Sequence, residues 1–235
     1  MSIALYLEQS GLLALLNTQQ VDIEEFSAVV SDFQQQLVAH IAKSTPAVQW
    51  QYQVPELGEG GACSLFGHLA AEPYDLAATL GGETADNLAL LQRMTAVVEY
   101  YQQHSRSDWF GVYQRRFNLA AEDVLVKLAY FGAPSRPEFP LTTEFAAISN
   151  NSSVALSGQA RLISQVASYV AAGGEYYTCD PKVQAEACLP LYAESGEVIG
   201  IVDAEAFSAD LYVGTELALL VAVVTVLPSL FASKN

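Results

Sequence analysis

A chain of 235 residues has room for one large domain, or for one ordinary domain with an extension, and 51% apolar content with only 15% charged residues marks a sizeable core. The formal net charge of −16, with 10 basic residues and no run among them, excludes nucleic acid as a partner, because a phosphate backbone is held by lysine and arginine. Binding to anionic membrane surfaces is disfavoured on the same ground, so no membrane partner is expected. Three cysteines, Cys63, Cys179 and Cys188, lack CxxC spacing, so neither a zinc site nor a disulfide framework is expected and no metal is assigned. The start, Met1–Glu8, has no basic n-region or small-residue cleavage site, which makes the cytoplasm the expected compartment.

In chain order, helices are predicted over 3–17 and 22–42. The second rests on Ile23, Phe26, Val29, Val30, Phe33, Leu37 and Ile41 at helical spacing, with Asp22 as its cap. Residues 47–54 alternate like a strand, 55–61 read as loop, and a short helix is expected around Leu76. A long amphipathic helix over 86–103 carries Leu88, Leu91, Met94, Val97, Val98 and Tyr101 on one side. Strands follow at 109–115 and 124–131, then a proline-rich segment, a polar stretch over 142–157 with no assignable period, a short strand at 161–166 and a loop through Gly173-Gly174. Strands at about 186–193 and 198–205 form a hairpin around Ser195-Gly196. The apolar run 217–227 falls short of the roughly 20 residues that span a bilayer. It reads as a buried terminal helix, packed on the domain's own sheet or against a second subunit. The sum is an α+β chain, with a central, mostly antiparallel sheet flanked by helices. A largely helical extension, 1–85, precedes a domain over 86–235.

The chemistry is concentrated between Cys179 and Glu205. A tight turn at Ser195-Gly196, of two or four residues, sets Glu186 opposite Glu205 and Cys188 opposite Asp203. By alternation these four side chains share one face, while Ala187, Leu189, Leu191, Val202 and Ala204 form a core face on the other. Like charges opposite one another destabilise a sheet. A bound cation, such as a substrate ammonium, relieves that repulsion, and so does a raised carboxyl pKa. The plainer alternative is that the acid face is solvated, and Pro190 is a possible bulge that shifts the register.

The pattern resembles the GAF domain of the free methionine-(R)-sulfoxide reductases. The matching residues are Thr178-Cys179-Asp180, Glu186, Leu189-Pro190-Leu191 and Gly200-Ile201-Val202-Asp203-Ala204-Glu205, with Trp109-Phe110-Gly111-Val112-Tyr113 upstream. The resemblance spans about 86–232 and implies a GAF-like fold with a small-molecule pocket. It implies Cys179 as the thiol that attacks the sulfoxide sulfur, with Glu186 and Asp203 in the catalytic acid set. Asp180, Glu205, Trp109 and Tyr113 are its ligand-binding residues, the acids toward the ammonium and the rings as walls. No cofactor is implied beyond an external dithiol reductant, which recycles the oxidised cysteine. The family's Gly-Val-Cys-Gly loop falls near Ser149-Asn150-Asn151-Ser152, which has no cysteine, and the segment 132–139 has none either. Cys188, on the acid face, is the candidate resolving thiol. Three readings stay open: a reductase of free methionine-(R)-sulfoxide, a degenerate GAF module that binds a small amino compound, and a sensory or interaction domain. A homodimer is expected. The histidines His40, His68 and His104 lack ligand spacing, and Cys63 reaches the pocket only if its loop lies over it.

Overall fold

The computed structural model describes residues 1–58, 67–176 and 180–231. Helices α1 (Ile3–Gln9) and α2 (Leu12–Thr18) replace the single helix expected there, because Gly11 between them sits at φ +79°, outside helical backbone geometry. Helix α3 (Ile23–Lys43) begins where the Asp22 carboxylate accepts from the N–H groups of Glu24 and Glu25. The strand expected over 47–54 contracts to β1 (Gln51–Tyr52), which pairs with β2 (Tyr74–Asp75) in a separate ribbon. Helices α4 (Leu76–Thr79) and α5 (Ala85–His104) follow the predicted spans closely.

The remaining chain builds β3 (Trp109–Phe117), β4 (Asp123–Phe131), β5 (Glu138–Pro140), α6 (Thr143–Ala146), α7 (Asn150–Ser157), β6 (Arg161–Ile163), α8 (Val166–Ala171), β7 (Ala185–Tyr192), β8 (Val198–Ala206), α9 (Gly214–Val226) and α10 (Pro228–Phe231). The six long-range strands form one antiparallel sheet in the order β5-β4-β3-β8-β7-β6, so the class is the α+β expected. Helices α6, α7 and α8 and strand β5 are additions to the sequence reading.

Two apolar layers sandwich the sheet. On one face Val112, Val126, Leu189, Val202 and Ala204 pack with α5, α9 and the first helices in a single core. Residues 216–224 of α9 are all buried, with α3 packed along it, so this helix is covered by its own chain. Gly214–Phe231 has the length and hydropathy of a membrane span, yet this covering gives its apolar surface a partner inside the protein. Glu216 in its first turn is held by Ser105 Oγ at 2.8 Å and by the Arg106 guanidinium at 3.0 Å. On the opposite face a smaller cluster gathers Trp109, Tyr113, Leu125, Phe139, Val154, Cys188 and Ile201 beneath α6 and α7.

The β7–β8 register is the expected one along most of its length: Glu186 faces Glu205 and Cys188 faces Asp203. The turn differs in detail. Ala193 N–H donates to Glu197 O at 2.8 Å, and Tyr192 pairs with Val198. A bulge between Leu191 and Tyr192 then adds one residue to β8 and restores the register beyond it. Pro190 lies in register with Ile201 and causes no slip.

Candidate functional site

Alternation along β7 and β8 brings Glu186, Cys188, Asp203 and Glu205 to one sheet face, beside Trp109 and Gly111 of β3. That face is not solvated. Glu186 is 5% exposed, Asp203 4% and Cys188 0%, because α7 lies across them. Helix α7 starts at a Ser149 cap, whose hydroxyl accepts from Ser152 N–H, and its first two residues point amides at the acids. Asn150 Nδ2 donates to Glu186 Oε1 at 2.8 Å, and Asn151 Nδ2 donates to Asp203 Oδ2 at 2.9 Å. The Tyr176 hydroxyl is a further donor to Glu186, and Arg161 on β6 contributes a favourable charge.

These donors do not fully compensate the burial. Desolvation raises Glu186, opposed by Tyr176, Asn150 and Arg161. Asp203 is held well above the usual carboxylate range, first by burial and then by the Glu186 charge, against the Asn151 amide. The two carboxyl groups titrate as a pair, both pushed upward by their burial. Burial, with Asp203 and Glu186 beside it, likewise pushes the Cys188 thiol up, which disfavours its thiolate. Two buried acceptors, Asp203 Oδ1 and Asn150 Oδ1, have no well-aligned hydrogen-bond partner among the described residues.

A cavity of about 170 Å³ opens on the same face, lined by Trp109, Ser135, Asp180 and Glu205 together with Pro55 and His68. Gly111 makes room for the Trp109 ring, since a Cβ there would lie 2.4 Å from the indole, and Trp109 Nε1 is fixed on Ala133 O at 3.0 Å. Asp180 also accepts from Lys182 N–H at 2.9 Å, so it shapes the turn into β7 while it lines the cavity. The candidates therefore form two tiers. Trp109, Asp180 and Glu205 face the cavity, whereas Glu186, Asp203 and Cys188 lie behind it under α7. Tyr113 is 1% exposed and packs edge-on against Phe139 rather than on the cavity. Cys179 and Cys63 lie outside the described residues; Pro55 and residues 67–69, which precede and follow Cys63 in sequence, line the cavity.

Sequence reasoning missed Asn150, Asn151, Tyr176 and Arg161. It also missed Lys127, which is fully buried on the same face. Its ammonium lies 4.0 Å from the Tyr130 ring centroid and 5.8 Å from that of Trp109, and donates to Ser135 O at 2.8 Å. A lysine within a strand of apolar residues was the available signal. Among the described residues no group of three or more histidine, cysteine or acidic side chains is arranged to hold a metal ion.

A curled antiparallel sheet with helices on one face and a lidded acid pocket on the other is a GAF-like architecture, resembling the free methionine-(R)-sulfoxide reductases. The chain is similar to the type II free methionine-R-sulfoxide reductase from Thermoplasma acidophilum, with 20% identity over 62% of this chain and 94% of that one and a TM-score of 0.52. It is similar to the free methionine-R-sulfoxide reductase from Neisseria meningitidis, solved with its substrate, with 16% identity over 60% and 77% of the two chains and a TM-score of 0.51. The GAF domain of an Acinetobacter phosphoenolpyruvate-protein phosphotransferase matches 86% of this chain and 92% of its own at 9% identity, with a TM-score of 0.53. At these identities the likeness establishes the fold. No protein-family model and no curated protein matches the sequence.

Proposed function

We propose that this GAF-like domain binds a small amino compound in the cavity beside Trp109, its body against the indole and its protonated nitrogen reaching past Asp180 and Glu205 toward the buried Glu186–Asp203 pair behind them. The observation that carries this reading is the pair of buried acceptors without a hydrogen-bond partner among the described residues, Asp203 Oδ1 and Asn150 Oδ1, at a carboxyl pair that burial pushes up. An ammonium supplies donors and a positive charge together, which satisfies both atoms and lets Asp203 ionise. Asn150 and Asn151 occupy the helix start where the resembling family carries cysteine, and they hold the acids rather than a sulfenate. The cavity is smaller than the roughly 300–1,000 Å³ of drug-sized sites, which suits a single amino acid. The expectation of a homodimer belongs to this reading as well.

A second reading, reduction of free methionine-(R)-sulfoxide, is favoured by the retained Cys179-Asp180 pair immediately ahead of β7. In it the Cys179 thiolate attacks the sulfoxide sulfur, Asp203 or Glu186 protonates the sulfoxide oxygen, and that oxygen passes to the Cys179 sulfur as the transient sulfur–sulfur bond breaks, leaving Cys179 as a sulfenic acid and methionine as the thioether. An external dithiol then reduces the sulfenic acid to thiol and water. Both readings are separated by one pair of assays. Ligand binding without turnover is expected as stabilisation by methionine or its sulfoxide, with no consumption of sulfoxide under dithiothreitol. Turnover that disappears in Cys179→Ser establishes the second reading, and an unresponsive wild type across an amino-acid panel removes both.

A further inference from the structure

Far from the acid pocket, the end of β3 carries a second site. Seven residues separate Trp109 from Arg116, about 24 Å along an extended strand, so the two ends of β3 serve different surfaces. At the Arg116 end, a cavity of about 510 Å³ lies between β3, α5 and α10, lined by Arg93, Arg115, Arg116, Asn87, Asp86 and Phe231 among others. Three of the chain's ten basic residues converge there in a protein of net charge −16. Their states differ. Arg115 is neutralised by Asp123 at 2.6 Å. Arg93 and Arg116 have no carboxylate within 4.0 Å among the described residues.

Among the described residues each of these two guanidinium groups makes one hydrogen bond and keeps donors to spare. Arg93 Nε donates to Leu230 O at 2.9 Å, and Arg116 Nη1 donates to Gln114 Oε1 at 2.8 Å. A guanidinium has five N–H donors, so both retain an unused edge. Both are half-buried, and burial of Arg116 makes its charge costly without a counterion. Asp86, exposed in the first turn of α5, is the one acid among the described residues on the cavity lining and cancels at most one of the two charges. We infer that Arg93 and Arg116 form a binding site for a small tetrahedral dianion, inorganic phosphate or a phosphate monoester. Such a ligand offers one pair of oxygens to each guanidinium fork and two negative charges to two cations.

The test titrates inorganic phosphate against the full chain, with sodium chloride at matched ionic strength as control, because any salt screens the acidic surface. Saturating phosphate is expected to raise the melting temperature about 3 °C above the chloride control. Arg93→Gln and Arg116→Gln, each checked for a cooperative melt, should lose more than half of that gain. Asp203→Asn, which alters the other site, should keep it, so failure of the amine-binding reading is distinguishable from failure of this one. Glucose 6-phosphate in place of phosphate distinguishes an ester from the free ion by which of the two gives the larger gain. Equal stabilisation by phosphate and chloride in the wild type overturns the inference. So does a gain that survives in both arginine variants or vanishes in Asp203→Asn.

Discussion

Asp203→Asn is expected to melt at a higher temperature than the wild type at pH 8 and to lose its response to amino compounds. The sign follows from linkage. A carboxyl group whose folded pKa lies above its unfolded value binds more protons in the folded state, so stability falls as pH rises through that window. Asp203 and Glu186 are both raised, with Asp203 the further displaced. Their contribution is complete below about pH 4, the unfolded range, and is lost as pH climbs through the folded values. The amide is the uncharged counterpart of protonated Asp203. It keeps an acceptor for Asn151 and carries donors where Asp203 Oδ1 has no hydrogen-bond partner among the described residues. Removing the cost of keeping this buried carboxyl group protonated at pH 8 is expected to contribute about 1–3 kcal/mol, roughly 2 °C or more in a chain of this size. The gain should shrink as pH falls toward 4. Ligand affinity in the wild type should move the other way and strengthen from pH 5 to 8, because an ammonium binds the ionised pair. A variant that is more stable yet blind to ligand is the expected behaviour of a site held under electrostatic strain for function.

Gly200→Ala is the second large effect, and it acts on the scaffold. Gly200 of β8 lies opposite Gln114 of β3 and Leu191 of β7, in the middle of the sheet. A Cβ at this position would stand 2.2 Å from the Tyr113 carbonyl oxygen and 3.2 Å from Gln114 Cα. Both obstacles are backbone, so relief requires β3 and β8 to part rather than a side chain to turn. Overpacking of this kind costs about 3 kcal/mol, and the same separation would displace Ile201 and Asp203 from their partners. Chemical denaturation should show a lower midpoint for Gly200→Ala with the slope unchanged. A loss within 0.5 kcal/mol, the ordinary range of surface substitutions, would show that the two strands are not held this closely.

The acid face was legible because strand parity is strict. Once Glu186 faced Glu205, Cys188 and Asp203 had to share their side of the sheet. The turn used to obtain that register was read as tight, whereas the structure combines a one-residue offset with a compensating bulge at Leu191/Tyr192. The parity survived because the two irregularities cancel. Helix α7 was not legible. Its residues Asn150, Asn151, Ser152 and Ser153 give no apolar period, and the two asparagines are buried against carboxylates rather than by apolar packing. The capping hydroxyls Thr142 and Ser149, each accepting an N–H three residues on, were the local signal for α6 and α7. Missing α7 left the solvated-face alternative open, and the 4–5% exposure of Asp203 and Glu186 closes it. Strand β5 was hidden by Pro137 just before it and Pro140 at its end, which an edge strand tolerates. The α1–α2 break needed only Gly11 to be read as a stop.

The most direct test of a proton-holding acid pair that awaits an ammonium is thermal melting of wild type and Asp203→Asn at pH 5, 6.5 and 8, with and without saturating methionine. The expected result is a wild type less stable than the variant at pH 8, stabilised by methionine increasingly with pH, beside a variant that ignores methionine throughout. A variant that is less stable than the wild type at pH 8, or that is stabilised by methionine as strongly as the wild type, would contradict it.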